Sequence, residues 1–329
     1  MKVSLVVPCF NEADNLPRLF EEIDRVVTSA SLDAEIILVD DGSRDRSRDL
    51  MVAQAAKDPR YKAVIFRRNY GQTAAMAAGI DHATGEVIIP LDADLQNDPA
   101  DVPRLVEQIE AGFDVVSGWR KDRKDKLWSR RLPSVIANWI ISRVGGVRIH
   151  DYGCTLKAYR RTVLEHVRLY GEMHRFIPIL AAWAGGKVTE LVVNHRPRVA
   201  GQSKYGIERT FKVVLDLLTV KLLGSYATKP IYFFGFIGLA LVALGALCGV
   251  GVVGLKLGGV VWQHTFSLGL LGAFLMLVGM QSVMMGLLAE LQVRTYHESP
   301  SKPIYLVKET VGLESPPTPL TLPPHRRVS

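Results

Sequence analysis

Short apolar runs rich in β-branched residues alternate with amphipathic helical patterns over the N-terminal third of the chain. The runs predict strands over residues 2–9, 35–39, 62–67, 86–91 and 114–118. The intervening patterns, with apolar positions three and four residues apart, predict helices over residues 16–27, 46–56, 72–83 and 101–111. Because strands and helices alternate, the sequence predicts an α/β fold with a mostly parallel, Rossmann-like sheet covered on both faces.

The pattern changes after this region. A charge run at 121–126 leads into an amphipathic helix predicted near 130–144, and a second amphipathic helix is predicted near 207–224. Helices of this kind either belong to a core or lie in the lipid headgroup layer. The second one directly precedes a long apolar stretch, which favours the headgroup layer. Three further strands are predicted over residues 154–160, 187–195 and 304–308.

Two long apolar stretches occupy about 231–255 and 266–290. Each is long enough to cross the hydrocarbon layer of a bilayer as a helix. The alternative, a pair of buried core helices, is disfavoured because both stretches are apolar around every face. Small residues over 243–251 have the spacing that lets membrane helices approach closely, which predicts a tight hairpin or contacts between protomers.

The distribution of charge predicts an orientation for these helices. Basic residues flank the outer ends of the two stretches, whereas the segment between them offers only Lys256. Both termini are therefore expected on the cytoplasmic side of the cytoplasmic membrane. The expected organisation is a cytosolic domain over 1–228, two transmembrane helices within 229–292, and a cytosolic tail over 293–329 whose Pro-rich end is disordered.

Net charge narrows the expected partners. The formal charge of +7 suits an anionic membrane surface or phosphate ligands. No recognised nucleic-acid-binding pattern accompanies the charge, so nucleic acid is not an expected partner. The three cysteines, Cys9, Cys154 and Cys248, lack the spacing of a metal site.

Polar residues follow the predicted strands at the points where the strands end. Asn11 and Glu12 follow the first strand, Asp40 and Asp41 the second, and the segment Asp92–Gln96 follows the strand over 86–91. In open α/β folds the carboxyl ends of the strands form the ligand-binding edge. Two carboxylates and an amide oxygen at alternate positions of Asp92–Gln96 suit a hard divalent cation, and the alternative is a solvated turn.

Five segments in chain order carry a more specific pattern: Val7–Glu12, Val39–Ser43, Arg68–Gln72, Leu91–Gln96 and Gly201–Tyr205. Together they resemble the polyprenyl-phosphate glycosyltransferases of glycosyltransferase family 2, which have the GT-A fold and include dolichol-phosphate mannosyltransferases. The resemblance implies an inverting transfer from a nucleotide diphosphate sugar to undecaprenyl phosphate, assisted by Mg²⁺ or Mn²⁺.

The resemblance also implies roles for particular residues. Catalytic roles fall on Asp94 and Asp151, and metal ligands on Asp92, Asp94 and Gln96. The expected nucleotide and donor contacts are Pro8, Asn11, Glu12, Asp40, Asp41, Asp92 and Ala93. The candidates for phosphate and acceptor contacts, chosen for their hydrogen-bond donors, are Arg120, Arg131, Ser203 and Lys204.

Several of these residues have a structural alternative. Asp40 and Asp41 also suit turn formation and helix capping. Asp151 is expected either as a base or as an organiser of cationic groups, and its alternative is a buried carboxylate paired with an arginine such as Arg148. A phosphate monoester is already largely dianionic at neutral pH, which favours the organiser. His150 is expected to be structural rather than a metal ligand.

Within the family, segments 151–160 and 176–180 are most similar to the branch that transfers 4-deoxy-4-formamido-L-arabinose. This similarity implies UDP-4-deoxy-4-formamido-L-arabinose as donor and a role in lipid A or envelope glycan modification. The alternatives are glucosyl, mannosyl or galactosaminyl transfer to the same lipid and, more remotely, a non-catalytic membrane scaffold or lipid-translocating protein. A homo-oligomer is compatible with the small-residue helix, or with segment 304–308 pairing with a neighbour's sheet edge.

Overall fold

The computed structural model describes residues 1–121, 138, 141–143, 145–165, 167, 169, 173–197, 231–259, 262–298 and 304–313. The chain divides into two compact units, Met1–Leu218 with Ser301–Ser329 and Thr219–Pro300. Several expectations fall outside the described residues: the helix near 207–224, most of the helix near 130–144, the Pro-rich end of the tail, and the candidates Arg131, Ser203 and Lys204.

Eight strands of the described residues form the sheet of the first unit. They are β1 (Val3–Cys9), β2 (Ala34–Asp40), β3 (Tyr61–Phe66), β4 (Val87–Pro90), β5 (Val115–Trp119), β6 (Lys157–Arg160), β7 (Val188–Val192) and β8 (Val307–Val311). Their order across the sheet is β7-β5-β6-β4-β1-β2-β3-β8. β1 runs parallel to β2 and β4, β2 to β3, and β5 to β7, whereas β6 and β8 pair antiparallel with their neighbours. The predicted mostly parallel α/β sheet is confirmed.

Helices cover both faces of this sheet. Those of the first unit whose bounds lie within the described residues are α1 (Leu16–Ser29), α2 (Ser47–Lys57), α3 (Gln72–His82), α4 (Val102–Glu110), α5 (Arg161–Leu164) and α6 (Ile177–Trp183). One core cluster joins Leu5 of β1 to Leu19 of α1 and Leu105 of α4. On the opposite face α3 approaches β1 so closely that a Cβ on Gly79 would lie 2.1 Å from the Val6 side chain. Only glycine allows this distance between helix and strand.

The tail strand β8 belongs to the same sheet as β3. It pairs antiparallel with β3, with Ala63 opposite Val311 and Val64 opposite Thr310. Tyr305, just before β8, stacks on Phe66 of β3 with ring centroids 5.1 Å apart. The expectation that this segment pairs with a neighbour's sheet is therefore wrong, because the sheet edge of its own chain is available.

Glu35 links several strands at the edge of the sheet that lies opposite the candidate site. Its carboxylate accepts hydrogen bonds from Ser4 Oγ at 2.6 Å, Lys62 Nζ at 2.5 Å and the Thr84 backbone N–H at 2.6 Å. Burial opposes its ionised form, but these hydrogen bonds outweigh burial and lower the pKa of Glu35 to about 2. One carboxylate thus joins β1, β2, β3 and the turn before β4.

The second unit contains two long helices, α7 (Ile231–Leu257) and α8 (Trp262–Glu298). The segments Phe234–Leu257 and Thr265–Ala289 have mean hydropathies of 2.5 and 1.9, and are long and apolar enough to cross a membrane. Only 11% of each segment is buried within the protein. Large side chains such as Phe236 and Leu277 are more than half exposed, which does not fit the alternative of soluble core helices.

Glycines bring α7 and α8 into close contact. A Cβ on Gly238 would lie 2.6 Å from the Gly279 carbonyl oxygen, and a Cβ on Gly245 would lie 2.6 Å from the Gly272 carbonyl oxygen. The backbones therefore approach at two levels, where small residues permit van der Waals contact. The predicted tight hairpin is confirmed.

Replacing the Glu35 carboxylate tests its role in the sheet. Glu35→Gln should lower the free energy of unfolding at pH 7 by roughly 2 kcal/mol, because charge-assisted hydrogen bonds are lost. The native pKa of about 2 lies below the reference value of 4.5. The wild-type advantage is therefore complete above pH 4.5 and disappears as the pH falls towards 2. Denaturant unfolding in detergent at several pH values measures the difference in unfolding free energy between the wild type and the variant. The exposed Glu21→Gln is the control. A difference that does not change with pH would contradict this role of Glu35.

The glycine contacts between α7 and α8 give a second test. Gly279→Ala should destabilise the hairpin by about 1–3 kcal/mol, since its new methyl group would overlap the Gly238 carbonyl and the Val242 side chain. Gly254→Ala is the matched control, because no atom lies within 4 Å of its Cβ position. The unfolding temperatures of both variants in detergent are the measurement. Equal unfolding temperatures for Gly279→Ala and Gly254→Ala would exclude a close crossing at Gly279.

Candidate functional site

The loops after β1, β2, β3 and β4 meet at the carboxyl edge of the parallel strands. The Asn11 backbone N–H donates to Ser43 Oγ at 3.0 Å, and its side-chain oxygen accepts from the Arg44 N–H at 2.8 Å. Glu12 Oε2 accepts from Asn15 Nδ2 at 2.7 Å. The loop after β1 is thus bonded to the loop after β2, as expected for residues that share one edge. Pro8, within β1, is partly exposed at the same end.

Asp40 and Asp41 use their carboxylates to shape the neighbouring turns. Asp40 is 1% exposed and accepts from the Ser43 N–H at 3.0 Å. Asp41 is 4% exposed and accepts from the N–H groups of Tyr70 and Gly71 at 2.7 and 3.0 Å. Burial nevertheless raises the pKa of Asp41 to about 6. These contacts fit the turn-forming alternative, and the contact of both residues with a nucleotide stays a prediction.

Gly42 allows the loop after β3 to approach the loop after β2 closely. Its φ is +73°, and a Cβ there would lie 2.6 Å from the backbone carbon of Arg68. Only glycine combines this conformation with this approach. The Asp41 carboxylate can therefore reach the 70–71 backbone.

The segment Asp92–Gln96 forms a buried turn directly after β4. Asp92 accepts from Gln72 Nε2 at 3.0 Å and from Asn97 Nδ2 at 3.2 Å. Asp94 is 9% exposed and accepts from the Gln96 N–H at 3.2 Å. Ala93 is 3% exposed, so the turn is not the solvated one of the alternative interpretation.

Two carboxylates in this turn repel each other. Burial first, and then the negative charge of Asp94, raise the pKa of Asp92 to about 6. A divalent cation would relieve this repulsion, and carboxylate oxygens are the ligands that Mg²⁺ and Mn²⁺ prefer. Among the described residues no third carboxylate, histidine or cysteine completes a cluster. The pair therefore suits a cation whose remaining ligands are water and a bound diphosphate, and Gln96 as a ligand stays a prediction.

A buried ion pair lies beside this turn. Arg120 donates from Nε to Asp151 Oδ2 at 2.6 Å and from Nη2 to Oδ1 at 2.9 Å. The Gly153 N–H also donates to Asp151, at 3.1 Å. Burial would lower the pKa of Arg120, but the hydrogen bonds and charge of Asp151 raise it above its ordinary value. Arg120 is close enough to Asp92 for its charge to lower the pKa of that carboxyl group.

This ion pair changes two expectations. The described partner of Asp151 is Arg120 and not Arg148. Two N–H groups of Arg120 bind Asp151, so less of the guanidinium is available to a phosphate than the sequence suggested. Because both oxygens of Asp151 accept hydrogen bonds, its surroundings favour an organiser of cationic groups over a base.

His150 has a structural environment, in agreement with its interpretation from the sequence. Its ring stacks on Trp119 with centroids 4.2 Å apart, and Nδ1 lies 2.5 Å from Glu190 Oε1.

The structure adds residues that sequence reasoning missed. Gln72 and Asn97 bind Asp92, and Thr155, Lys157 and Arg175 line a cavity beside it. Gln72 stood inside a recognised motif, which was a usable signal. Lys157 lies in segment 151–160, which carried the resemblance to one branch of the family, but nothing in the sequence indicated a role for it or for Arg175. Both reach the site only through the pairing of β6 and the packing of the 173–175 turn.

Comparison with known proteins identifies the family of this chain. Residues 4–168 match the profile of the family described as Glycosyl transferase family 2. Dodecaprenyl-phosphate galacturonate synthase of Rhizobium johnstonii is 42% identical over 94% of this chain and 93% of its own length. Undecaprenyl-phosphate 4-deoxy-4-formamido-L-arabinose transferase of Pseudomonas fluorescens is 39% identical over 94% of this chain and 89% of its own length.

Solved structures show the same fold. Glucosyl-3-phosphoglycerate synthase from Mycobacterium tuberculosis, in complex with Mn²⁺, UDP-glucose and phosphoglyceric acid, superposes with a TM-score of 0.52. The match covers 67% of this chain and 79% of that chain at 17% identity, so it shows the fold alone.

A double-mutant cycle tests the Arg120–Asp151 pair. Arg120→Met or Asp151→Asn alone should cost about 3–5 kcal/mol of unfolding free energy, because each breaks a largely buried ion pair by removing one of its two charges. The double variant should cost clearly less than the sum of the two. The matched control is the exposed pair Arg48–Glu309, whose coupling should be under about 1 kcal/mol. Equal coupling in the two cycles would contradict a buried, mutually dependent pair.

Proposed function

Because this chain belongs to glycosyltransferase family 2, we propose that it transfers a sugar from a nucleotide diphosphate donor to the phosphate of a polyprenyl lipid. The observation that carries the proposal is the pair of a partly exposed Asp92 and a buried Asp94 at the carboxyl end of β4, with the Arg120–Asp151 pair beside it. The relatives named above act on dodecaprenyl and undecaprenyl phosphate, and the alignments cover nearly the whole chain.

The donor half of the site would hold the diphosphate at Asp92 and Asp94. A divalent cation bound there would stabilise the negative charge of the departing nucleotide diphosphate. The Mn²⁺ and UDP-glucose bound by the structural neighbour support this assignment, and either Mg²⁺ or Mn²⁺ suits the two carboxylates. Asp40, Asp41, Asn11 and Glu12 would border the nucleotide, with their backbone contacts holding that edge rigid.

The acceptor half requires cationic groups more than a base. A phosphate monoester has a second pKa near 6 and is already largely dianionic at neutral pH. The difficulty is to bring this anion close to the donor diphosphate, which needs oriented positive charge. Asp151 would serve by fixing the Arg120 guanidinium in one orientation. Arg131, Ser203 and Lys204 remain proposed phosphate contacts from the sequence.

The two apolar helices would hold the enzyme at the bilayer that contains its acceptor. Tethering an enzyme to the surface where its lipid substrate is confined raises the effective concentration of that substrate. The flanking basic residues support a cytoplasmic position for both termini and for the catalytic unit. The cytoplasmic membrane of a bacterium is accordingly the proposed location.

The sugar is a separate question. The motif resemblance implies 4-deoxy-4-formamido-L-arabinose, with a role in lipid A modification, whereas the first of the two relatives is named for galacturonate. Identities of 42% and 39% do not separate these donors. Of the two segments that carry the resemblance to one sugar branch, 151–160 contains Asp151 and several residues that line the neighbouring cavity, so the sugar has to be judged from the side chains there.

Transfer itself is the direct test. Purified protein in detergent, given undecaprenyl phosphate and a panel of labelled UDP-sugars, should form a lipid-linked sugar only with Mg²⁺ or Mn²⁺, and a chelator should abolish it. Asp94→Asn should lower kcat by at least about 100-fold, because one of the two metal-binding carboxylates is lost. The exposed Asp49→Asn, on α2, should leave turnover unchanged.

Two results would contradict the proposal. One is unchanged turnover in Asp94→Asn while the variant unfolds at the wild-type temperature. The other is undiminished transfer in the presence of a chelator.

A further inference from the structure

A small polar cavity lies next to the Asp92 turn and next to the loop that carries Asp151, although neither carboxylate lines it. At one rim, Gln72 donates a hydrogen bond to Asp92, and Thr155 acts on the same carboxyl group as a hydrogen-bond partner. At the other rim, Gly153 donates to Asp151. The cavity therefore borders both halves of the candidate site, between the proposed diphosphate position and the proposed organiser of the acceptor phosphate.

Two cationic side chains line this cavity, Lys157 and Arg175. None of the described residues that line it is acidic. His174 adds no charge, because burial holds its pKa well below the ordinary value and its Nδ1 is hydrogen-bonded to Thr73 Oγ1 at 2.7 Å. The lining is thus positive at neutral pH.

Lys157 forms the floor of the cavity and is 2% exposed. Its ammonium donates to the Tyr152 carbonyl at 3.1 Å and to the Cys154 carbonyl. Among the described residues no carboxylate lies within ion-pair distance of its Nζ. Burial lowers the pKa of Lys157 to about 8, although the negative charge of Asp151 acts in the opposite direction. An anion in the cavity would bring further negative charge to this buried ammonium.

The dimensions of the cavity limit what it can accept. It is small, with mostly buried walls that include Met76 and Tyr159, and its mouth lies at the partly exposed Gln72, Gly153 and Arg175. It has room for one substituent of a sugar and not for a sugar ring or a lipid phosphate with its ester. An anionic substituent of that size is a carboxylate.

We propose that this cavity recognises the carboxylate of a uronic acid, so that the transferred sugar is a hexuronate. The inference rests on the proposed function, since it places the donor sugar between Asp92 and Asp151. The formamido group of 4-deoxy-4-formamido-L-arabinose is neutral and would bring no further negative charge to Lys157. Arg175 at the mouth would bind the carboxylate through charge-assisted hydrogen bonds, and Lys157 would lie behind it.

Two donors that differ at one carbon test the proposal. UDP-galacturonate and UDP-galactose have a carboxylate and a hydroxymethyl group, respectively, at the same position. With undecaprenyl phosphate as acceptor, the wild-type protein should prefer UDP-galacturonate by at least about 100-fold in kcat/KM. Arg175→Gln should reduce that preference at least about 10-fold while changing kcat/KM for UDP-galactose less than about 3-fold. Arg175→Lys should restore part of the preference, and the surface variant Arg48→Gln should leave it intact.

Three outcomes would overturn the inference. The first is that the wild-type protein uses UDP-galactose or UDP-4-deoxy-4-formamido-L-arabinose with the same kcat/KM as the uronate donor. This test does not depend on whether any variant folds. The second is an equal loss for every donor in Arg175→Gln, with a raised KM for undecaprenyl phosphate, which would assign the cavity to the acceptor phosphate. The third is unchanged discrimination in both Arg175→Gln and Lys157→Met.

Failure of the proposed function would look different. It would appear as no transfer from any donor by the wild-type protein in the presence of metal. Calorimetric binding then still tests the cavity, because UDP-galacturonate should bind at least about 10-fold more tightly than UDP-galactose. Equal binding of the two nucleotides would overturn the inference on its own.

Discussion

Two neighbouring carboxylates after β4, one partly exposed and one buried, are the constraint on which the site depends. Asp92 and Asp94 are kept in a turn by short polar contacts from Gln72, Asn97 and the Gln96 backbone, although their charges repel each other. A turn that served only to reverse the chain would leave such groups in water, where their repulsion is screened. Holding two carboxylates close together is costly unless positive charge lies near, and among the described residues Arg120 contributes some of it. A divalent cation, as proposed for this pair, would contribute more.

The surrounding loops are rigid for a related reason. Both carboxylate oxygens of Asp41 accept hydrogen bonds from the backbone at residues 70 and 71. Gly42 allows the loop after β2 to contact the loop after β3. Asn11 bonds the loop after β1 to that after β2. The Asn11 and Asp41 side chains are polar and lie at a ligand-binding edge, yet the hydrogen bonds described for them come from backbone N–H groups of neighbouring loops. Structural bracing and ligand binding are compatible here, because a nucleotide site gains affinity when its walls are held in place before binding.

The sequence was sufficient for the elements but not for their arrangement around the site. Alternating apolar runs predict β1 to β5 within a residue or two, since each run has a short length and clear polar boundaries. The Asp92 turn is predictable because strand and carboxylates are adjacent in sequence. Arg120 and Asp151 are 31 positions apart, and their pairing follows from the antiparallel insertion of β6 between β4 and β5. Lys157 and Arg175 have no local signature either, and β8 was assigned to the wrong partner because strand character does not specify which edge a strand joins.

The positive charges of this site explain why both substrates can be anionic. A lipid phosphate must approach a sugar diphosphate, and two phosphates repel each other strongly in a water-poor cleft. A general base would not reduce that repulsion, since the nucleophile is already deprotonated. Arg120 is fixed towards Asp151 by two hydrogen bonds, and its guanidinium is always charged at physiological pH. Lys157 and Arg175 add two more positive charges in the cavity next to the Asp92 turn. These charges are accounted for when the sugar itself carries a third anion.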